Sequence, residues 1–524
     1  MTTARQAAAD ILARSHARAG FASELIDDEL HRISLSGQDR RFVTQLVFGV
    51  LRRRGTLDAL LTPFIRTPLH AVQDRVWDVL HLGAFQLAFL THVPKHAAVH
   101  ETVELATHVG SPQAKGFVNG VLRRVSELVT DVFTDRPGGD GVPFDWEPRK
   151  PNLPSLHRKE GGEGSEPNPP TPFPKKEGGA GERSKPNPPA PFPKKEGGDR
   201  SGVRNPSPLG GGVGAGSSIL PRYRKLTRAV LPDFATDPAG YLSAAFSWPK
   251  WLAARWLDRY GLGECTRLGF WFNSPPPLWI RTNKLHDDRE NYRLRLAAGL
   301  IETATGEHPQ SLRLIEHHSI RDLPGYDEGD FAVQDHSSLL VSSAVAPQPG
   351  MRVLDLCAAP GGKTTHLAEL MDNRGFVTAC DIDQKRLDIV TSLCQRLRIK
   401  GVETVLLNEN DDPPAGPFDA ALVDVPCSNT GVLGRRPEVR WRLKPTEFEH
   451  LIRLQTKLLF QAIERVKPKG VIVYSTCSIE PDENENVVNA VRRGIKNLTL
   501  EAEHHSIPGQ PADGGYWARL RKPG

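Results

Sequence analysis

From Val353 onward, short apolar runs alternate with stretches of helical period. The runs are Val353–Cys357, Phe376–Asp381, Thr404–Leu407, Ala420–Val425 and Val471–Ser475, with helical patterns reaching Met371 and Leu397 and spanning 446–466 between them. Runs this short with no polar face read as strands buried on both sides. Such β–α–β alternation specifies a doubly wound parallel sheet, whose ligands bind at the carboxyl ends of the strands.

Two of these strands lead to cysteines in similar settings, Cys427 in Ala420-Ala-Leu-Val-Asp-Val-Pro-Cys-Ser-Asn-Thr-Gly431 and Cys477 in Val471-Ile-Val-Tyr-Ser-Thr-Cys-Ser478. Turn-forming residues flank each one, so both thiols are expected in one crevice, where they suggest covalent chemistry. Buried cysteines are otherwise ordinary core filler, and that reading is kept for Cys380 and Cys394. The chain's six cysteines show no paired spacing such as C-x-x-C, hence no disulfide framework and no zinc signature, and a reducing, cytoplasmic setting is expected. No metal site is expected either.

The chain divides by composition. Residues 1–135 carry helical periodicity, as in Phe42–Leu51 and Val76–Leu87, and read as an all-helical domain. Residues 136–217 read as a Pro/Gly-rich linker, because Pro148–Pro208 holds 15 of the 44 prolines and one unit, at 167–179, recurs 19 residues on at 186–198. These units have almost no apolar residues to bury, so a disordered, polyproline-like linker is expected rather than a solenoid. Residues 218–330 read as a small α+β segment and 331–524 as the α/β domain. No run approaches the roughly 18 apolar residues of a membrane span, and Met1–Leu12 reads as an amphipathic helix rather than a targeting peptide.

The formal charge of +5 is uninformative about partners. Arg149–Arg204 carries 12 Lys/Arg against 7 Asp/Glu, which accounts for the whole surplus and leaves 55 of each sign elsewhere. Only local clusters argue for nucleic acid. Arg435, Arg436, Arg440 and Arg442 form one such cluster, and Arg52, Arg53, Arg54, Arg123 and Arg124 form another.

The first strand ends in a glycine-rich turn, Ala358-Ala-Pro-Gly-Gly-Lys363. Gly361-Gly-Lys-Thr364 matches the end of a phosphate-binding loop, and Ala421-Leu-Val-Asp424 could serve as its magnesium-binding strand. However, the pattern's first glycine falls on Cys357, and Pro360 lacks a backbone donor. The alternative is a nucleoside cofactor approached closely by the turn, with Asp381, 19 residues after Gly362, on the ribose hydroxyls.

Asp355-Leu-Cys-Ala-Ala-Pro-Gly-Gly-Lys-Thr-Thr365, Asp424-Val-Pro-Cys-Ser428 and Ser475-Thr-Cys-Ser478 resemble the motifs of the NOL1/NOP2/Sun RNA cytosine-5 methyltransferases. Gln334–Ser338, Arg435–Trp441 and Asp513–Leu520 fit the same pattern. Asp39–Phe42, Val93–Leu105 and Gly116–Arg124 are similar to the NusB-like helical domain fused to the enzyme in the RsmB/Sun (Fmu) branch. The resemblance implies a NusB-like RNA-binding domain ahead of a Rossmann-like methyltransferase, S-adenosylmethionine as cofactor, and 16S ribosomal RNA as substrate.

The resemblance also implies site residues. Cys477 is the nucleophile adding to C6 of cytosine, and Cys427 assists product release. Asp424 contacts either the cytosine edge or the cofactor's methionine portion. The cofactor rests on Cys357, Ala358, Ala359, Pro360, Gly361, Gly362 and Lys363, with Asp381 on the ribose. Lys363 either lowers a thiol pKa or meets the cofactor carboxylate. Glu409, with Asp411 as its rival, falls where the family pattern has an acidic residue near the adenine. The target base must be unpaired or flipped out, because a thiol cannot reach cytosine inside a helix.

Overall fold

The computed structural model describes residues 2–17, 21–145, 221–316, 318–407 and 412–524. The proline-rich repeats, Glu409 and Asp411 lie outside them.

Six helices open the chain: α1 (Ala4–Ala17), α2 (Ala22–Arg32), α3 (Gly37–Leu61), α4 (Asp74–Phe89), α5 (Lys95–His108) and α6 (Lys115–Leu128). The helical expectation therefore holds as far as Leu128. Beyond it the β-branched alternation of Val129-Thr-Asp-Val-Phe-Thr134 forms β1 (Val129–Thr134), followed by β2 (Gly141–Asp145) and, after the repeats, β3 (Arg222–Leu226). These three make an antiparallel sheet in the order β1–β3–β2. Residues 141–145, expected as linker, are thus folded: the Gly138-Gly139 turn lets β2 pair with a strand from beyond the repeats.

Helices α7 (Pro238–Phe246) and α8 (Lys250–Asn273) come next. Asp237 caps α7 by accepting the Gly240 N–H at 2.9 Å, with Pro238 at the first helical position. Tyr241, Phe246, Trp248, Trp256 and Phe272 are buried in the same apolar core as Leu46, Val50 and Leu57 of α3. These two helices therefore complete the amino-terminal core.

A four-stranded sheet follows, β4 (Leu278–Thr282), β5 (Thr303–Thr305), β6 (Ser311–Leu314) and β7 (Phe331–Val333), ordered β5–β6–β4–β7, with α9 (Arg289–Ala298) packed on it through Tyr292 and Leu296.

The last layer comprises α10 (His336–Val345), β8 (Arg352–Leu356), α11 (Gly362–Leu370), β9 (Phe376–Asp381), α12 (Gln384–Arg396), β10 (Val402–Leu406), β11 (Phe418–Asp424), α13 (Val439–Arg442), α14 (Pro445–Arg465), β12 (Val466–Thr476), α15 (Glu485–Gly494), β13 (Thr499–Ser506) and β14 (Gly515–Arg521). The sheet order is β10–β9–β8–β11–β12–β14–β13. Its first five strands run parallel, as expected, but β14 pairs antiparallel with both β12 and β13, so the sheet is mixed. The polar edge strand Thr499-Leu-Glu-Ala-Glu-His-His-Ser506 lacks the apolar run by which the inner strands are recognised.

Alternation along the inner strands separates the two faces. Val353, Ala420, Leu422, Val471 and Val473 pack under α10 and α11. Leu354, Ala421, Val423, Ile472 and Tyr474 pack under α14 and α15. The chain winds from β8 outward to β10 and returns on the other side of β8 at β11, which opens a crevice at the carboxyl ends of these two strands. Among the described residues, no helix is long and apolar enough to cross a membrane.

Candidate active site

The crevice encloses a cavity of about 810 Å³ that reaches from the glycine-rich turn to both cysteines. The turn begins at Cys357 and ends at Gly361, both with positive φ (+84° and +100°). Its backbone donors point inward. The N–H groups of Cys357 and Ala358 reach the Cys380 carbonyl at 3.0 and 2.8 Å, and that of Gly361 reaches the Ala358 carbonyl at 2.9 Å. The Ala359 N–H reaches Asp381 Oδ2 at 3.2 Å. Pro360 has no donor, so this stretch offers no cradle for a phosphate.

Asp381 is 3% exposed. Besides Ala359, its carboxylate accepts the Asp383 N–H at 3.3 Å and Arg386 Nη1 at 3.2 Å, so it braces the turn while Asp383 and Arg386 line the cavity. From the small sheet, the buried Arg281 donates to the Gly362 carbonyl at 2.7 Å and to Glu369 Oε1 at 2.6 Å, which ties down both ends of α11.

At the floor, Lys363 Nζ lies 2.6 Å from Asp424 Oδ2, and Ser475 Oγ donates to Asp424 Oδ1 at 2.7 Å. Burial pulls the Lys363 ammonium down, but the field of Asp424 and the bond to it outweigh burial, and its pKa is raised. Asp355 also lines the cavity. Its Oδ2 accepts from Thr364 Oγ1 at 2.7 Å, whereas its buried Oδ1 has no partner. Burial pushes this carboxyl up to about 7.

Strands β11 and β12 are parallel neighbours with Asp424 opposite Ser475. That register delivers the two following loops to one edge and leaves Cys427 Sγ 3.1 Å from Cys477 Sγ. The loops are tied together behind the sulfurs by buried Glu483. Its carboxylate accepts the Ser428 N–H at 2.8 Å, Gln455 Nε2 at 2.9 Å, Ser478 Oγ at 2.6 Å and the Ser428 hydroxyl.

The two thiols differ in proton affinity. Cys477 is lowered, chiefly by the hydrogen bond with Cys427, with further help from Arg436 and Lys363 against the opposing effects of burial and Asp424. Cys427 is raised well above a free thiol by that same bond, by burial and by Glu483. Cys477 is therefore the more acidic thiol of the pair. Burial raises Cys357 too, with Asp381, Asp424 and Asp355 adding to it, and this leaves its thiol protonated. Burial likewise raises Cys380 to about 12 and Cys394 to about 11, which fits their reading as core filler.

Three family descriptions match in succession: the NusB family over residues 2–127, the ferredoxin-like domain of RsmF/B-like methyltransferases over 248–321, and 16S rRNA methyltransferase RsmB/F over 342–513. The probable ribosomal RNA small subunit methyltransferase B of Synechocystis is 31% identical over 93% of this chain and 88% of its own. The chain belongs to the ribosomal RNA small subunit methyltransferase B family. The Salmonella typhi and Bacillus subtilis proteins carrying this name, the latter as probable, are 28% and 27% identical, again over 93% of this chain. The crystal structure of PH0851 shares the fold, with a TM-score of 0.69, 20% identity and 99% coverage of both chains.

Within this methyltransferase B chain, several arginines expected on RNA have other work. Arg440 is fully buried and donates to the carbonyls of Arg52, Phe246 and Phe272 at 2.7, 2.9 and 2.7 Å. Arg52 donates to the Gly434 carbonyl at 2.9 Å, and Arg53 to those of Pro143 and Phe144 at 2.7 and 2.8 Å. Arg435 is paired with Asp335 and Asp513. Arg442 Nη2 donates to the Ser15 carbonyl at 3.3 Å, and Arg54 lies over the Trp441 ring. Arg436 faces the cavity, while Arg123 and Arg124 are exposed on α6.

Sequence reading missed Glu483, Ser428, Ser478 and Asn429 as parts of this centre. The serines stand inside the quoted cysteine motifs, and Glu480-Pro-Asp-Glu-Asn-Glu485 follows one of them directly, an acidic run out of place beside a buried strand. Among the described residues, no group of three or more His, Cys, Asp or Glu is placed to hold a metal ion.

Proposed function

We propose that this chain transfers a methyl group from S-adenosylmethionine to C5 of an unpaired or flipped-out cytosine in 16S ribosomal RNA, through a covalent bond between Cys477 and C6 of the base. The observation that carries this reading is the thiol pair, in contact at the crevice mouth with pKa values shifted in opposite directions. The names of the relatives support the ribosomal substrate, and such a substrate supports a cytoplasmic reaction.

The residues present fit the cofactor. The unpartnered Asp355 Oδ1 in the cavity wall is an acceptor suited to a donor group of the ligand, beside Cys357–Pro360, Gly362 and Lys363 of the turn and Asp383 just beyond β9. S-adenosylmethionine supplies an electrophilic methyl group.

Cytosine C5 is a weak nucleophile. Addition of the Cys477 thiolate to C6 breaks the C5=C6 double bond and moves its electron pair toward C5, which can then take the methyl. The Lys363–Asp424 pair, fixed by Ser475, is positioned to hold the base edge where charge develops. C5 then carries both methyl and hydrogen. Loss of that proton restores the double bond and expels Cys477, with Cys427 placed 3.1 Å away to assist release.

A phosphate-transfer enzyme finds no support, because the N–H groups of Cys357, Ala358, Ala359 and Gly361 are already used and Pro360 has none. Tritium transfer from labelled S-adenosylmethionine to ribosomal RNA, with bisulfite sequencing of RNA from a strain lacking the protein, tests the proposal. A methylated cytosine lost in that strain is expected; label on another base or atom contradicts it.

A further inference from the structure

The amino-terminal helical domain reaches the catalytic centre. Arg436 Cζ lies 4.0 Å from the centroid of the Phe21 ring, a close cation–π contact. Two residues further along, buried Glu438 Oε1 accepts the Ala22 N–H at 3.4 Å, and the Phe21 N–H is held by Glu24 Oε2 at 3.3 Å. The start of α2 therefore grips the Arg436–Glu438 turn at two successive residues. On its other side Arg436 Nη1 donates to Asn429 Oδ1, the same oxygen that lies 3.2 Å from Cys477 Sγ. Asn429 Nδ2 donates to the Cys427 carbonyl at 2.8 Å, which fixes the orientation of that amide. Phe21, Glu24, Asn429 and Arg436 all line the cavity.

We propose that Phe21 and Arg436 are positioning residues for the nucleophile: Phe21 seats Arg436, and Arg436 occupies the Asn429 oxygen that faces Cys477, tuning the sulfur for attack. This rests on Cys477 being the nucleophile. A protonated Cys477 would donate to Asn429 Oδ1; the guanidinium competes for that oxygen and adds a positive field, and both effects favour the thiolate. Cys477 also faces the Cys427 thiol, the Lys363 cation and the Asp424 carboxylate, with Glu483 behind Cys427. Helical and methyltransferase regions are thus coupled at one side chain: a nucleophile in one loop depends on an aromatic ring some 450 residues earlier.

The test is the pH dependence of Cys477 alkylation by iodoacetamide in the full-length protein, read on the Cys477 peptide by mass spectrometry, beside steady-state methylation. Arg436→Gln is expected to raise the alkylation midpoint by about one pH unit. Phe21→Ala should raise it by a smaller amount, and Phe21→Trp should restore it, because an indole face also holds a guanidinium. In both impaired variants kcat falls while KM for S-adenosylmethionine is unchanged. An unchanged midpoint in Phe21→Ala and Arg436→Gln, whatever their thermal stability, overturns the proposal. Full activity of Cys477→Ser would instead overturn the assignment of the nucleophile, so the two failures are distinguishable.

Discussion

Cys427 and Cys477 are in sulfur-to-sulfur contact at 3.1 Å, and the contact lowers the pKa of Cys477 while it raises that of Cys427. Two cysteines with nearly the same local setting are made unequal by groups that arrive from elsewhere: Glu483 behind Cys427, and Arg436 and Lys363 beside Cys477.

Alkylation should therefore be selective. At pH 7.5, limiting iodoacetamide is expected to modify Cys477 at least about tenfold faster than Cys427, since only a thiolate attacks. Peptide mass spectrometry reads the ratio, and equal labelling would remove the basis for separate roles.

Glu483 receives donors from both cysteine loops through Ser428 and Ser478. Glu483→Ala leaves several buried donors unpaired, at a cost of about 2–4 kcal/mol. It should also lower kcat about 100-fold by loosening the sulfur geometry. Thermal denaturation and methylation assays on the same sample check both effects.

Asp355 is buried, and its carboxyl rises from an ordinary 3.8 to about 7. A raised carboxylate pKa means that the folded state pays to ionise it. The penalty is absent below the ordinary value, grows as pH rises toward 7 and is constant above. Asp355→Asn removes it and should therefore stabilise the protein by about 2 kcal/mol more at pH 8 than at pH 5. The same variant should bind S-adenosylmethionine more weakly, because it replaces the unpartnered acceptor; denaturation at both pH values and calorimetry measure the two outcomes.

Arg440→Ala is expected to destabilise the fold by about 2–4 kcal/mol, because it strands carbonyls that the guanidinium now satisfies. Its salt dependence of RNA binding should match the parent. Replacing exposed Arg123 and Arg124 with Ala should do the reverse, leaving stability unchanged and reducing the slope of log affinity against log salt by about 1–2.

The inner sheet was legible because β8, β9, β11 and β12 are apolar runs ending in turn residues, and Cys427 and Cys477 could be placed at one edge from that alone. The edge hairpin was not: β13 is largely exposed, and its pairing with β14 depends on a tertiary register rather than on hydrophobic period. The arginines mislead for a related reason. Arg52, Arg53 and Arg440 look like surface charge in one dimension, and only the packed chain shows that each is surrounded by carbonyl oxygens. The inequality of the thiols was equally hidden, since it is set by Arg436, Lys363 and Glu483, which belong to three different segments.

The covalent step is tested most directly by incubating Cys427→Ala with ribosomal RNA and S-adenosylmethionine and resolving the mixture on a denaturing gel. A slow-migrating protein–RNA band is predicted, absent from Cys477→Ala and from the double variant. A band that persists without Cys477, or full methylation by Cys477→Ala, would contradict the account.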